Sequence, residues 1–400
     1  MTSKEIYITR EIESWMKVQS KNYPIMSVMG PRQSGKTKLI RSLFPHLPYY
    51  DLEREAIFKM ISKDPDQFVR DKCIDGAIFD EFHYIPKLTQ ILKTVSDELL
   101  TAANKEGKTA LPTRFILTGS HNYLFDENII ETMTGRAAII KLLPLTLQES
   151  DCTDVYQAMY KGGYPILYVN GQTPQTFFPP YIQNYLEREV RTIHGIGDLR
   201  TFRKFMQMCA YLSGNFFDYE TVCRTLEIKK KTIDKWLNIL YASHIIFFAS
   251  PYYKSTMAKF ANKDKMYFCD TGLCSALMDI ESPLDIEEDP AAKGKLFENL
   301  VFSEVWKKSA IQGKYLDPAS FWNVQGEGGY EVDMVMQKAG KIKKSIEIKA
   351  GDKFDPHWFD NMQKHPDLVA AGKFVIYTGP TMDVEGGRAL NFTDLDQLFL

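Results

Sequence analysis

Residues Met29 to Phe44 read MGPRQSGKTKLIRSLF, with two glycines five apart, then a lysine and a hydroxyl residue. The pattern G-x-x-x-x-G-K-[ST] is suited to polyphosphate. Glycines let backbone N–H groups close on phosphate oxygens, the lysine reaches the β- and γ-phosphates, and the hydroxyl is a ligand for Mg2+. A chain of ordinary composition and this length meets the pattern by accident on the order of one time in a hundred. The flanks therefore decide. If the match holds, the nucleotide contacts fall on Gly30, Pro31, Arg32, Gln33, Ser34, Gly35, Lys36, Thr37 and Lys38, with Thr37 also a metal ligand.

A phosphate loop needs a partner carboxylate for the metal and another for the attacking water. Gly76 to Pro86, GAIFDEFHYIP, supplies both: three apolar residues lead into Asp80 and Glu81 at the end of a buried strand. Asp80 would hold Mg2+, and Glu81 would orient and polarise the water. A further strand, Arg114 to Leu117, ends in Thr118-Gly119-Ser120, where a polar side chain can report whether the γ-phosphate is intact. Ser120 is the first choice, with Thr118 and Asn122 as alternatives. Arg136, ahead of the apolar run AAIIKLL, is a candidate for neutralising charge on the transferred phosphoryl group, in its own chain or a neighbour's.

The last hundred residues hold a second constellation. Glu298 lies in the helical stretch LFENLVFSEVWKK, Asp333 in EVDMVM, and Glu347 and Lys349 in SIEIKA. Residues two apart on a strand face the same way, so Glu347 and Lys349 point into one site, which Asp333 on a neighbouring hairpin strand can join.

The elements that must position these groups follow from periodicity. Ile25 to Met29 reads as a buried strand running into Gly30, and Leu39, Ile40, Leu43 and Phe44 fall at helical spacing until Pro45. Strand, glycine loop and helix N-terminus is the order a phosphate site requires. Farther on, Phe202 to Gly214, Phe217 to Leu226 and Lys231 to Tyr241 predict helices, and Ile245 to Tyr253 predicts a β-ribbon. Two short helices around the polar turn EIKKKT, followed by strands, suggest a winged helix whose Lys229, Lys230 and Lys231 can meet phosphates.

Taken together, GPRQSGKT, IFDEFHYIP, ILTGSHN, TGRAAIIKLLPLT, GGYP, YIQNYLEREV, KMYFCDTGL, KGKLFENLV, and EVDMVM with IEIKA resemble the AAA+ class of P-loop ATPases. More narrowly, they resemble a large prokaryotic family that fuses an AAA-type ATPase to a C-terminal domain of unknown function. The resemblance covers nearly the whole chain. It implies ATP and Mg2+ as ligands, nucleotide roles for Lys36 and Thr37, and hydrolytic roles for Asp80 and Glu81. It also raises Ser120 as a sensor and Arg136 as an arginine acting in trans. Many AAA+ motors carry an arginine in a helical lid, for which Arg188 and Arg191 are the candidates here. The C-terminal layout is similar to the PD-(D/E)xK restriction-endonuclease-like core. That similarity implies Asp333, Glu347 and Glu298 as metal ligands and Lys349 as the catalytic lysine.

Composition bounds the rest. The chain has 400 residues, of which 44% are hydrophobic, 13% aromatic and 25% charged, enough for two or three cores. Net charge is −2, so nucleic-acid binding would need local basic patches. The six cysteines form no C-x-x-C pair and the histidines show no ligand spacing, which points to reduced thiols and away from zinc. No apolar run of about 18 residues is present, so a cytoplasmic protein with no membrane segment is expected.

The expectation is an α/β chain in three parts. Residues 1-150 form the AAA-type ATPase with a parallel sheet. Residues 151-285 form a helical linker and a winged-helix-like domain, and residues 286-400 form an α/β restriction-endonuclease-like domain. ATP hydrolysis would control the C-terminal region. DNA, a protein partner or a second copy of the chain are the partners considered. The competing functions are a nucleotide-dependent switch for a protein partner and an ATP-regulated, metal-dependent nuclease.

Overall fold

In the computed structural model the described residues are 7–105, 107, 111–119, 135–186, 198–252, 264–313, 320–324, 329–338 and 340–400. Ser120, Asn122, Arg188 and Arg191 lie outside them. The chain folds into two compact units, one built on residues 1–143 and the other on most of residues 144–400.

The first unit is a five-stranded sheet of β1 (Ile25–Met29), β2 (Tyr49–Asp51), β3 (Ala77–Asp80), β4 (Phe115–Gly119) and β5 (Ala137–Lys141). Its order is β2-β3-β4-β1-β5, and every pairing is parallel. Parallel neighbours need crossover connections, and the helices Lys36–Leu43, Glu55–Ser62, Pro65–Lys72 and Lys87–Lys105 supply them. Strand period two divides the core. Ile25, Met29, Ala77, Phe79, Phe115 and Leu117 pack on one face, while Met26, Val28, Ile78, Ile116, Ala138 and Ile140 pack on the other. Both faces are covered, which is why these strands read as near-continuous apolar runs.

The parallel order brings the carboxyl ends of β1, β4 and β3 to one edge of the sheet. With β4 between them, the tips of β1 and β3 stand about 10 Å apart. Side chains can bridge that distance.

In the second unit the helices Leu199–Tyr211, Tyr219–Leu226 and Lys230–Ala242 precede an antiparallel pair, β6 (Ile246–Ala249) and β7 (Lys265–Phe268). Phe216 bridges to Lys265. A long helix, Pro290–Ile311, leads to a six-stranded mixed sheet of β8 (Ser320–Val324), β9 (Tyr330–Lys338), β10 (Lys341–Ile348), β11 (Gly372–Tyr377), β12 (Met382–Val384) and β13 (Gly387–Asn391). The order is β12-β13-β11-β10-β9-β8. One hydrophobic core runs through this unit, joining Phe202, Phe205 and Trp236 to Phe268, Phe297, Phe302, Ile346 and Leu390.

Candidate functional site

The phosphate loop follows β1. Gly30 has φ +155°, and a Cβ there would meet the Leu142 carbonyl oxygen at 2.0 Å. Gly35, with φ +95°, caps the helix Lys36–Leu43 from the left-handed region, where glycine carries no steric cost. The two motif glycines are therefore conformational requirements.

Lys36 is buried, and its Nζ donates to the carbonyls of Gly30 at 2.9 Å and Pro31 at 3.0 Å, so the ammonium is held inside the loop. Ser34 is buried too, and its Oγ has no hydrogen-bond partner. Arg32 donates to Glu53 Oε1 at 2.8 Å. Arg10, which the sequence did not single out, is buried beneath the loop. It donates to the carbonyls of Ser34 at 2.9 Å and Leu143 at 2.7 Å.

Across the sheet edge, Asp80 receives three hydroxyls. Thr37 Oγ1 donates to Oδ2 at 2.7 Å, Tyr49 Oη donates to the same oxygen at 2.5 Å, and Thr118 Oγ1 donates to Oδ1. Burial, reinforced by the Asp80 carboxylate, pushes the Tyr49 phenol well above its ordinary value and keeps it a donor. Thr118 also accepts the Glu81 backbone N–H at 3.2 Å. Thr118, the alternative to Ser120, thus sits between both acids.

Glu81 adopts a left-handed backbone, φ +53° and ψ +50°, uncommon for a residue with a side chain and typical of functional turns. His83 Nδ1 lies 3.3 Å from Glu81 Oε2. Burial raises the Glu81 carboxyl, but His83, Lys36 and Arg32 together outweigh it and hold the group down at about 2. Glu81 is an anion at neutral pH. It is a weak proton acceptor and a strong hydrogen-bond acceptor for a water.

Arg136 is placed elsewhere. Its carbonyl accepts the N–H of Ile25 at the amino end of β1, and its Nε donates to Asp97 Oδ1 at 2.9 Å. From Ile25 to Met29 is about 13 Å of strand, so Arg136 stands at the sheet end opposite the loop. The expectation that Arg136 acts on the phosphate loop of its own chain is therefore corrected: the parallel register keeps it at the opposite end of the sheet.

The second unit gathers all four C-terminal candidates. Asp333 on β9 accepts from the Ile348 N–H at 2.8 Å and from Lys349 Nζ at 3.3 Å, and Lys349 donates to Glu347 Oε2 at 2.7 Å. Glu298, on the helix Pro290–Ile311, accepts from Tyr267 Oη at 2.7 Å and lies 3.5 Å from Lys265 Nζ, which also pairs with Glu331. Burial, with the neighbouring Asp333 charge, pushes Glu347 up to about 8 against the pull of Lys349. Burial likewise raises Glu298 despite Lys265. Lys265, Tyr267 and Glu331 were not anticipated. The signal lay in the two-residue spacing of Lys265 and Tyr267 within KMYF, which puts both on one strand face.

Among the described residues, no group of three or more His, Cys, Asp and Glu is arranged to hold a metal ion as it stands. Among the described residues, no disulfide joins the six cysteines. Among the same residues, no helix is long and apolar enough to cross a membrane.

A glycine loop after β1 and an acidic pair after β3, at one edge of a parallel sheet, are the parts of a P-loop nucleotide site. Comparison with known families agrees, since residues 22–150 match the family described as AAA domain. Residues 152–284 and 293–395 match two domains of unknown function, DUF8612 and DUF4143. Among curated proteins, the chain is similar to the uncharacterized proteins Mb2031c of Mycobacterium bovis and Rv2008c of Mycobacterium tuberculosis. Each is 23% identical over 323 residues, covering 80% of this chain and 68% of the relative. Among solved structures, the Walker-type ATPase PABY2304 of Pyrococcus abyssi aligns over 69% of this chain and 97% of its own, at 15% identity and a TM-score of 0.45.

Proposed function

We propose that the first unit binds and hydrolyses ATP with Mg2+, and that nucleotide state controls the second unit. The observation that carries this reading is the 2.7 Å contact between Thr37 and Asp80, which joins the phosphate loop to the acidic strand tip. The donor set fits a magnesium nucleotide: a hydroxyl and a carboxylate converge, Ser34 Oγ is buried without a partner, and the loop glycines leave backbone N–H groups room to approach phosphate. When bound, Mg2+ supplies charge neutralisation on the β- and γ-phosphates. Lys36 would exchange its two loop carbonyls for phosphate oxygens. Asp80, held by Tyr49 and Thr118, would keep Thr37 aligned, and Glu81 would accept a hydrogen bond from the water that attacks the γ-phosphorus. Thr118 would couple the two acids, with Ser120 as a further sensor and Arg136 serving only a neighbouring subunit.

The test is a pair of substitutions. Lys36→Ala is expected to abolish ATP binding, and Glu81→Gln to retain ATP without turning it over. Unchanged turnover in both variants refutes the site.

The second unit supports a second reading. A winged-helix reading is supported by three helices, the Phe216 bridge and the β6–β7 ribbon, with Lys229, Lys230 and Lys231 exposed at the start of the third helix. Asp333 on β9, Glu347 on β10 and Lys349 just past its end contact one another, which supports reading them as the site of a restriction-endonuclease-like core. Asp333, Glu347 and Glu298 would bind a divalent cation, and Lys349 would assist the water that attacks a phosphodiester. A nicking assay with Mg2+ comparing the intact protein with Asp333→Ala and Glu347→Ala decides the point; no cleavage of DNA or RNA by the intact protein refutes nuclease activity.

A further inference from the structure

Sites that hydrolyse a nucleoside triphosphate commonly add an arginine to the P-loop lysine, and Arg136 stands at the opposite end of the sheet. The loop itself carries one. Arg32 lies two residues past Gly30, and it donates to Glu53 Oε1 at 2.8 Å.

Strand order says where that contact lies. Arg32 follows β1 and Glu53 follows β2, which are the fourth and first strands in the order β2-β3-β4-β1-β5. Three strand spacings separate the two tips, about 14 Å. A contact between residues just past those tips therefore closes over the carboxyl ends of β4 and β3, the edge from which Asp80 and Glu81 emerge. Glu81 registers the guanidinium there: against burial, which raises its carboxyl, His83, Lys36 and Arg32 hold the group down at about 2.

Glu53 is the fixed end of the pair. The Leu52 N–H donates to the Asp80 carbonyl at 3.1 Å, the Glu53 N–H donates to Asp51 Oδ1 at 3.1 Å, and Arg54 Nε donates to Asp51 Oδ2 at 3.0 Å, so the turn after β2 is tied to the tip of β3 and to itself. The two side chains are 33% and 42% exposed. An ion pair so open to water contributes little, whereas a phosphate group offers guanidinium a forked and stronger set of bonds. The arginine can leave its carboxylate for a triphosphate at small cost.

We propose that Arg32 is a γ-phosphate-binding residue of its own chain, which exchanges Glu53 for the γ-phosphate when ATP binds. The loop thereby tells ATP from ADP without an arginine from a second subunit. This inference rests on the reading of the first unit as a nucleotide site, and its test separates the two.

The slowly hydrolysed analogue ATPγS and ADP, each with Mg2+, are titrated into the full-length protein by calorimetry. The variants are Arg32→Ala, Arg32→Lys and Glu53→Gln, and melting curves without nucleotide check that each folds. Arg32→Ala is expected to bind MgATPγS at least about tenfold more weakly than the unaltered protein while its MgADP affinity stays within about twofold. Arg32→Lys keeps the charge but not the fork, and is expected to fall between the two. Glu53→Gln removes the competing carboxylate and is expected to tighten MgATPγS by about threefold, with MgADP unchanged. An arginine that only braces the loop would make Arg32→Ala weaken both nucleotides alike and Glu53→Gln weaken them too. Either of those results, or an Arg32→Ala variant that binds MgATPγS as the unaltered protein does, overturns the proposal and leaves the nucleotide reading standing. An unaltered protein that binds neither nucleotide overturns both.

Discussion

Replacing Thr118 with valine isolates the contact that ties the two acids of the ATP site together. The side chain is fully buried, so the substitution keeps its shape and removes one hydroxyl. Asp80 Oδ1 loses a donor and the Glu81 N–H loses its acceptor. A hydrogen bond to a charged group contributes about 1.5–3 kcal/mol, and a buried N–H left unpaired costs about 1–3 kcal/mol. Allowing for relaxation, the first unit should lose about 3 kcal/mol, which lowers its melting temperature by about 6–12 °C. Glu81 also loses the bond that steadies its left-handed backbone. If about 2 kcal/mol of positioning disappears from the transition state, kcat falls roughly 30-fold. Lys36 and the loop glycines are untouched, so the KM for ATP should change little. Thermal unfolding and steady-state phosphate release measure the two effects, and Thr118→Ser should recover most of both. A valine variant that melts within about 1 °C of the unaltered protein and turns over within about twofold of it would refute the role assigned to this hydroxyl.

Two further perturbations probe the loop and the acidic cluster. Gly30→Ala places a Cβ 2.0 Å from the Leu142 carbonyl at φ +155°, so the loop must move; calorimetry should show MgATP affinity reduced by about tenfold or more, with a lower melting temperature. Glu347, raised to about 8 by burial and Asp333, binds a proton in the folded state that the unfolded chain has already released above about pH 4. Folding therefore takes up a proton in that range, and stability of the second unit should fall as pH rises from about 4 towards 8. Glu347→Gln should flatten that slope in denaturant titrations at several pH values, and an unchanged slope would count against the buried acid as its source.

The sequence marked what chain neighbours decide. The phosphate loop was legible because strand, loop and helix are consecutive, and Gly30 and Gly35 stand where the backbone permits little else. Asp80 and Glu81 were legible because an apolar run ended on them, and Glu347 with Lys349 because strand period two put them on one face. Tertiary structure alone decided the partners. Arg10 reaches the loop from 24 residues before Ser34, Thr118 meets Asp80 across 38 residues, and Lys265 meets Glu331 across 66. It also sent Arg136 to the far end of the sheet, because β5 runs parallel to β1 and starts where β1 starts. Local spacing governs which way a side chain leaves the backbone, whereas what it meets depends on which strands pair. That pairing is set by burial of both faces of the sheet together, a property of no single segment.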